Sequence, residues 1–131
     1  MVLQVSEWTV ISRLRLPSAL NVKHVIEKAE YTAKYTNPGG GSKGSAFVRI
    51  AISNDGGATW SYYPSSTGQG VQYNSYQRYE HEINYDGGFC NALVVEFQGR
   101  VQDDDSDSDA TTLYTKDRWI YRVSKQRVEA V

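Results

Sequence analysis

The sequence predicts an all-β domain: an antiparallel β-sandwich or jelly roll of about seven to eight strands, with a small β-barrel as the alternative. Three observations point there. Apolar and polar residues alternate with period 2 through most of the chain, clusters of Gly, Pro, Ser, Asn and Asp punctuate the alternating runs, and no stretch reads convincingly as a helix.

Trp8, Val10, Leu14 and Leu16 share one parity, while Thr9, Arg13 and Arg15 share the other, which describes a first strand closed by Pro17. Val25, Ala29, Tyr31, Ala33 and Tyr35 then alternate with Ile26, Lys28, Glu30, Thr32 and Lys34. A helix competes here, because Val22, Ile26, Ala29 and Ala33 fall on one helical face and Glu30 stands four residues before Lys34. The Tyr, Thr and Val content and the longer alternation favour the strand. Asn37 to Ser45 holds four glycines and reads as a loop. Val48, Ile50 and Ile52 form the next strand, which a tight turn at Asn54 to Gly57 joins to Trp60, Tyr62 and Tyr63 as a hairpin. After a Ser/Gly-rich loop from Pro64 to Gly70, one long run places Val71, Tyr73, Tyr79, His81, Ile83 and Tyr85 on one parity. Asp86-Gly87-Gly88 turns the chain into Leu93, Val95, Phe97 and Val101, apolar enough to lie centrally in a sheet, and Trp119, Tyr121 and Val123 mark the last strand.

A chain of 131 residues is the size of one domain with one core, here residues 1–131. With 40% hydrophobic and 22% charged residues it has a globular composition, neither disordered nor membrane-spanning. The net charge of −1 supplies no general attraction to phosphates or anionic lipid, so neither nucleic acid nor membrane is expected as a partner. Cys90 is the only cysteine; it can form no internal disulfide and is expected as a buried free thiol. The N-terminus MVLQVSEWTV has neither a basic start nor an apolar stretch, so the expectation is synthesis without a signal peptide.

Ser53, Asp55, Gly57, Thr59 and Trp60 occupy the defining positions of S-x-D-x-G-x-T-W. This segment resembles the Asp-box hairpin of sialidases and other β-propeller proteins. In those proteins it is a structural hairpin away from the catalytic pocket, so the resemblance implies a fold-building role. The local chemistry agrees: Asp55 can accept hydrogen bonds from turn N–H groups, Gly57 can take positive φ, and Trp60 can cover the turn. The chain is too short for the several four-stranded blades of a propeller, and no sialidase activity follows. The wider pattern VRIAISNDGGATW is similar, more loosely, to the strand and hairpin of discoidin-like jelly rolls.

Asp103, Asp105, Asp107 and Asp109 put carboxylates at every second position, a pattern that offers oxygen ligands to calcium but lacks the glycine and distal glutamate of an EF-hand loop. A solvated acidic loop is the competing reading, and no other cofactor is implied. His24 and His81 fall in separate strands, with His81 on the inward parity as a hydrogen-bonded core residue. A Cys90 nucleophile served by His81 has no sequence context to support it, and no enzyme activity is expected. Ten tyrosines and three tryptophans suit contact surfaces; Tyr62, Tyr63, Tyr73 and Tyr76 are the candidates for touching a protein partner or a glycan. Lys116, Arg118, Arg122, Lys125 and Arg127 make the C-terminal strand and tail basic, opposite in sign to the acidic run before them.

In character, a small, disulfide-free, tyrosine-rich β-sandwich resembles a bacteriophage virion protein of the capsid decoration, neck/adaptor or tail accessory type. That resemblance implies a structural subunit located in the virion, with homo-oligomers or capsid and tail proteins as its partners. A jelly-roll carbohydrate-binding module is the alternative.

Overall fold

The structure, a computed structural model, describes residues 3–5, 7–15, 22–36, 45–89, 92–104 and 111–126. Nine strands run through them: β1 (Leu3–Val5), β2 (Thr9–Arg15), β3 (Val22–Thr36), β4 (Ser45–Ser53), β5 (Ser61–Tyr63), β6 (Gln69–Val71), β7 (Gln77–Asp86), β8 (Val94–Asp104) and β9 (Thr112–Gln126). Among the described residues there is no helix. All pairings are antiparallel.

The larger sheet holds six strands and the smaller three, in the order β7-β3-β9. In the larger sheet β1 and β2 lie end to end along β8, and β5 and β6 end to end along β4, so the sheet is only four strands wide. The chain passes between sheets after β2, β3, β6, β7 and β8, and neither sheet closes into a barrel. β8 lies between β2 and β4, the central place its apolar run predicts.

The core is the space between the sheets. Ile26, Ala29, Tyr31 and Ala33 of β3 and Ile83 of β7 pack against Val48, Ile50 and Ile52 of β4, Val71 of β6, and Val95 and Phe97 of β8. Aromatic edges lock the layers: Tyr31 meets Phe97 at 6.0 Å and 81°, and Tyr63 meets Tyr85 at 6.4 Å and 79°. Each fully buried Ile contributes about 1.5–3 kcal/mol relative to leaving it in water.

The departures from simple alternation have local causes. In β2 the register slips between Val10 and Ser12, and Ile11 joins the core margin while Val10 is 40% exposed. The inward parity expected for Trp8 and Val10 is therefore corrected by a bulge. A second slip between Ile26 and Lys28 carries the inward face of β3 from an even to an odd position, so Ile26 and Ala29 are both buried. The run from Val71 to Tyr85 is two strands in different sheets; the link between them is pinned where the Tyr35 amide donates to the Tyr73 carbonyl at 2.9 Å. In β9, Asp117 takes φ 51° and the register shifts beside it, which hides the strand's first half from a period-2 reading.

Candidate functional site

The Ser53 to Trp60 segment is built by its own side chains. The Ser53 hydroxyl donates to Asp55 Oδ1 at 2.6 Å and accepts from the Gly57 amide at 2.9 Å. Asp55 Oδ1 also accepts from the amides of Ala58 (3.1 Å) and Thr59 (2.9 Å), while Oδ2 accepts from the Thr59 hydroxyl. The Ser53 hydroxyl first, and then Thr59, hold the Asp55 carboxyl far below the usual carboxylate range. Trp60 Nε1 donates to the Gly57 carbonyl at 3.0 Å, closing the ring over the turn. Gly57 has φ 104°, and the Gly56 amide donates to the Ala92 carbonyl at 3.0 Å, tying the hairpin to the start of β8. Every acceptor position of Asp55 described here serves the turn itself.

The four candidate tyrosines do not share one surface. Tyr62 and Tyr63 are consecutive in β5 and so project to opposite faces: Tyr63 packs on the core, and Tyr62 lies on the outer face of the larger sheet. There the Arg49 guanidinium sits between two rings, 4.0 Å from Trp8 and 3.9 Å from Tyr62. Its Nε donates to Gln98 Oε1 at 2.7 Å and its Nη1 to the Ser66 carbonyl at 2.8 Å. Gln98 in turn donates to Glu96 at 2.8 Å, and Arg13 closes the ladder on the other oxygen of Glu96 at 2.5 Å. Glu96 is only 3% exposed, so this ion pair is shielded on the carboxylate side. Trp8 reaches across the face to Gly68, where a Cβ would stand 2.9 Å from the indole. Burial, with the nearby Arg100 charge, lowers the Arg49 pKa. Arg49 Nε and Nη1, Gln98 Nε2 and Arg13 Nε are all engaged within the protein, and the ladder holds the Arg49 guanidinium between Trp8 and Tyr62 at the surface.

Tyr73 (62% exposed) and Tyr76 (39%) lie beyond β6, by the smaller sheet. Lys34 and Lys116 both approach the Tyr76 ring, at 4.7 and 4.2 Å, and Lys34 also stands over Tyr114 at 5.1 Å. Further along the same face the buried Glu30 accepts from Arg78 at 2.6 Å and from the Tyr121 hydroxyl, which, as the foremost cause, lowers its pKa. Lys28 pairs with Glu80 at 3.1 Å. The face is an exposed mosaic of aromatic rings and cations, with Tyr114 and Tyr121 joining the tyrosines singled out in the sequence.

Asp103 and Asp104 belong to β8, paired in register with Gln4 and Leu3; Asp105, Asp107 and Asp109 lie outside the described residues, as do Cys90 and Arg127. Among the described residues no group of His, Cys, Asp and Glu has a metal-binding arrangement. His81 is a core residue: its Nε2 shares a 3.0 Å hydrogen bond with the Tyr31 hydroxyl, and burial lowers its pKa and raises that of Tyr31. His24, also buried, has its pKa lowered by burial and by Arg122. Lys116, Arg118, Arg122 and Lys125 are all on β9.

One feature had no sequence signal. Along the side where β2 and β9 face each other runs a seam with two recesses of about 380 and 340 Å³. Ile11, Gly99, Val101 and Leu113 line the first; Leu14, Phe97, Trp119 and Ile120 line the second. No protein family, curated protein or solved structure matches this chain.

Proposed function

We propose that this protein is a non-enzymatic structural or interaction subunit of a larger protein assembly. The observation that carries the reading is the exposure of large side chains on rigid strands: Trp119 is 60% exposed, and Val10, Leu14 and Tyr114 are each 40–42% exposed. Large exposed side chains of this kind, set on the outer faces of both sheets and along the side of β2, are suited to anchoring contacts with a partner. The arginine ladder that braces Trp8 and Tyr62 supports the same reading. In its most specific form, the subunit is a bacteriophage virion component of the decoration, neck/adaptor or tail accessory type, located in the virion and in contact with capsid, tail or identical subunits.

The competing reading is a jelly-roll carbohydrate-binding module. Its platform rests on Tyr73, whose ring is open, since Tyr76 already carries two ammonium groups. Size-exclusion chromatography with light scattering, run beside a glycan array with and without calcium, separates the two. Self-association without glycan binding is the expected result. A strict monomer that binds a defined glycan, or turnover of any substrate, overturns the proposal.

A further inference from the structure

We infer that Asn74 is a modification site, at which the folded chain deamidates spontaneously through a cyclic imide formed with Ser75, giving aspartate and isoaspartate on an exposed aromatic face. The inference concerns the chemistry of one link and stands whether or not the interaction-subunit reading holds.

The reaction needs only water. The Ser75 amide nitrogen, after giving its proton to solvent base, attacks the carbonyl carbon of the Asn74 side chain. A carbon–nitrogen bond forms, the side-chain nitrogen leaves as ammonia with a proton taken from water, and a five-membered imide results. Water then opens the imide at either carbonyl. One opening leaves aspartate in the original main chain; the other routes the main chain through the side-chain carbonyl as isoaspartate. An aspartate before glycine isomerises through the same ring, with water leaving in place of ammonia. The attacking group is always the N–H of the next residue, so a hydrogen bond on that N–H, or a backbone held in a ladder or turn, opposes the reaction.

Among the described residues, an asparagine precedes serine or aspartate, or an aspartate precedes glycine, at Asn54–Asp55, Asp55–Gly56, Asn74–Ser75 and Asp86–Gly87. Only Asn74–Ser75 is left open. The Asp55 amide donates to the Ser53 hydroxyl oxygen at 3.3 Å, the Gly56 amide to the Ala92 carbonyl at 3.0 Å, and the Gly87 amide to the His24 carbonyl at 2.8 Å. The aspartates are held as well: Asp55 Oδ1 accepts from Ala58 and Thr59, and Asp86 accepts from the Gly88 amide at 2.8 Å and pairs with Lys23 at 2.9 Å. Asn74 and Ser75 form an exposed bend in the link from β6 to β7. The Ser75 amide has no hydrogen-bond partner among the described residues; only its hydroxyl is used, accepting from Gln77 Nε2 at 3.1 Å. The link is anchored at the Tyr73 carbonyl, which accepts from the Tyr35 amide at 2.9 Å, and the ladder resumes at Gln77 opposite Ala33. Between these anchors Asn74 can rotate to bring the Ser75 nitrogen onto its side-chain carbon without breaking a ladder bond, a local opening of low cost.

The product changes the surface it sits on. Asn74 lies between Tyr73, 62% exposed, and Tyr76, whose ring is approached by Lys34 at 4.7 Å and Lys116 at 4.2 Å. Neither lysine forms an ion pair among the described residues. Deamidation therefore adds a negative charge to a face that holds two unpaired cations, and isoaspartate also lengthens the main chain between the two rings. The aromatic face ages chemically, whereas the Ser53 to Trp60 hairpin and the turn after β7 are protected by their own hydrogen bonds.

The test incubates the full chain, folded, at mildly alkaline pH and body temperature, and maps its peptides by mass spectrometry with fragmentation that separates aspartate from isoaspartate. Asn74 is expected to convert at least about tenfold faster than Asn54, with no isomerisation of Asp55 or Asp86 over the same period. In urea the protection lifts: Asn54 speeds up by about tenfold or more, Asp55 and Asp86 isomerise, and Asn74 changes by less than about threefold. Asn74→Gln, whose side chain would have to close a larger ring, stops the acidic form from accumulating on ion exchange. Ser75→Val crowds the attacking nitrogen and slows conversion by about tenfold with the melting curve unchanged. Equal rates at Asn54 and Asn74 in the folded chain, faster change at Asp55 or Asp86, deamidation of Asn74 without isoaspartate, or conversion of Asn74 only in urea would each overturn the proposal.

Discussion

Gly68→Ala tests the packing of the outer aromatic stack more sharply than any core truncation. Gly68 has φ 87°, and a Cβ there would stand 2.9 Å from the Trp8 indole and 2.9 Å from the Val48 carbonyl oxygen. The left-handed backbone alone costs a non-glycine residue about 1–2 kcal/mol. Relief of the contacts is asymmetric. Trp8 can swing away from Arg49, but Val48 lies in β4, whose backbone is paired on both sides, to Gly99 of β8 and Gln69 of β6. Overpacking of this kind adds about 1–3 kcal/mol, for a total of about 2–5 kcal/mol. In urea the midpoint should fall with m unchanged, and Tm should drop by on the order of 10 °C. Two further variants separate the causes. Gly68→Asn tolerates positive φ but keeps the Cβ, so it should lie between Gly and Ala. Trp8→Ala combined with Gly68→Ala should lose less than the sum of the single changes, because the indole contact is then gone. A Gly68→Ala protein within about 0.5 kcal/mol of the parent, a size expected of an unconstrained surface site, would show that neither the backbone conformation nor the Trp8 seat is as described.

Other consequences follow from the hydrogen bonds. Asp55→Ala should lower Tm at neutral pH while leaving the folded fraction able to bind its partner, as measured by melting and by a binding assay on the same sample; lost binding at unchanged Tm would make the hairpin a contact site. Because the Asp55 carboxyl is depressed in the fold, its contribution is fully present above the unfolded carboxylate pKa near 4 and is lost as pH falls toward its folded value; melts from pH 5 to 2 should be flatter in Asp55→Ala. His24 and His81 are depressed as well, so the unfolded chain takes up protons first and stability should decline as pH falls below about 6.5, less steeply in His81→Gln. Tyr31→Phe leaves the His81 ring nitrogen without its buried partner and should cost about 1–3 kcal/mol in a urea titration.

The strands were legible wherever the backbone kept its two-residue period. Val48, Ile50 and Ile52 are buried as their spacing predicts, and so are His81 and Ile83. The hairpin at Ser53 to Trp60 was legible because its hydrogen bonds are local, none of those within the motif spanning more than four residues. Bulges at Ile11, beside Ile26 and at Asp117 defeated the parity rule, since one extra residue turns the rest of the strand over without any Gly or Pro to announce it. Parity also names a side but not a sheet, which is why Val71 and His81 read as one strand. The Trp8–Arg49–Tyr62 stack draws on β4, β5 and the residue before β2; its one sequence cue was Arg49, a cation at the outward position of an otherwise apolar strand.

The seam was illegible for a different reason. A sequence reports the apolar face of each strand but not whether another strand lies opposite it, and Leu14 reads in the same way as the residues that the second sheet covers. Both edges that flank the seam, β2 and β9, are bulged. Bulges and cations are devices that keep open edges from pairing indiscriminately, and β9 carries both, with Asp117 at the bulge and Lys116 and Arg118 beside it. The cation beside the bulge is itself engaged with the strand: Arg118 Nη1 donates to the Thr115 carbonyl at 3.3 Å and to the Thr115 hydroxyl at 3.0 Å, so the side chain that guards the edge also satisfies part of it.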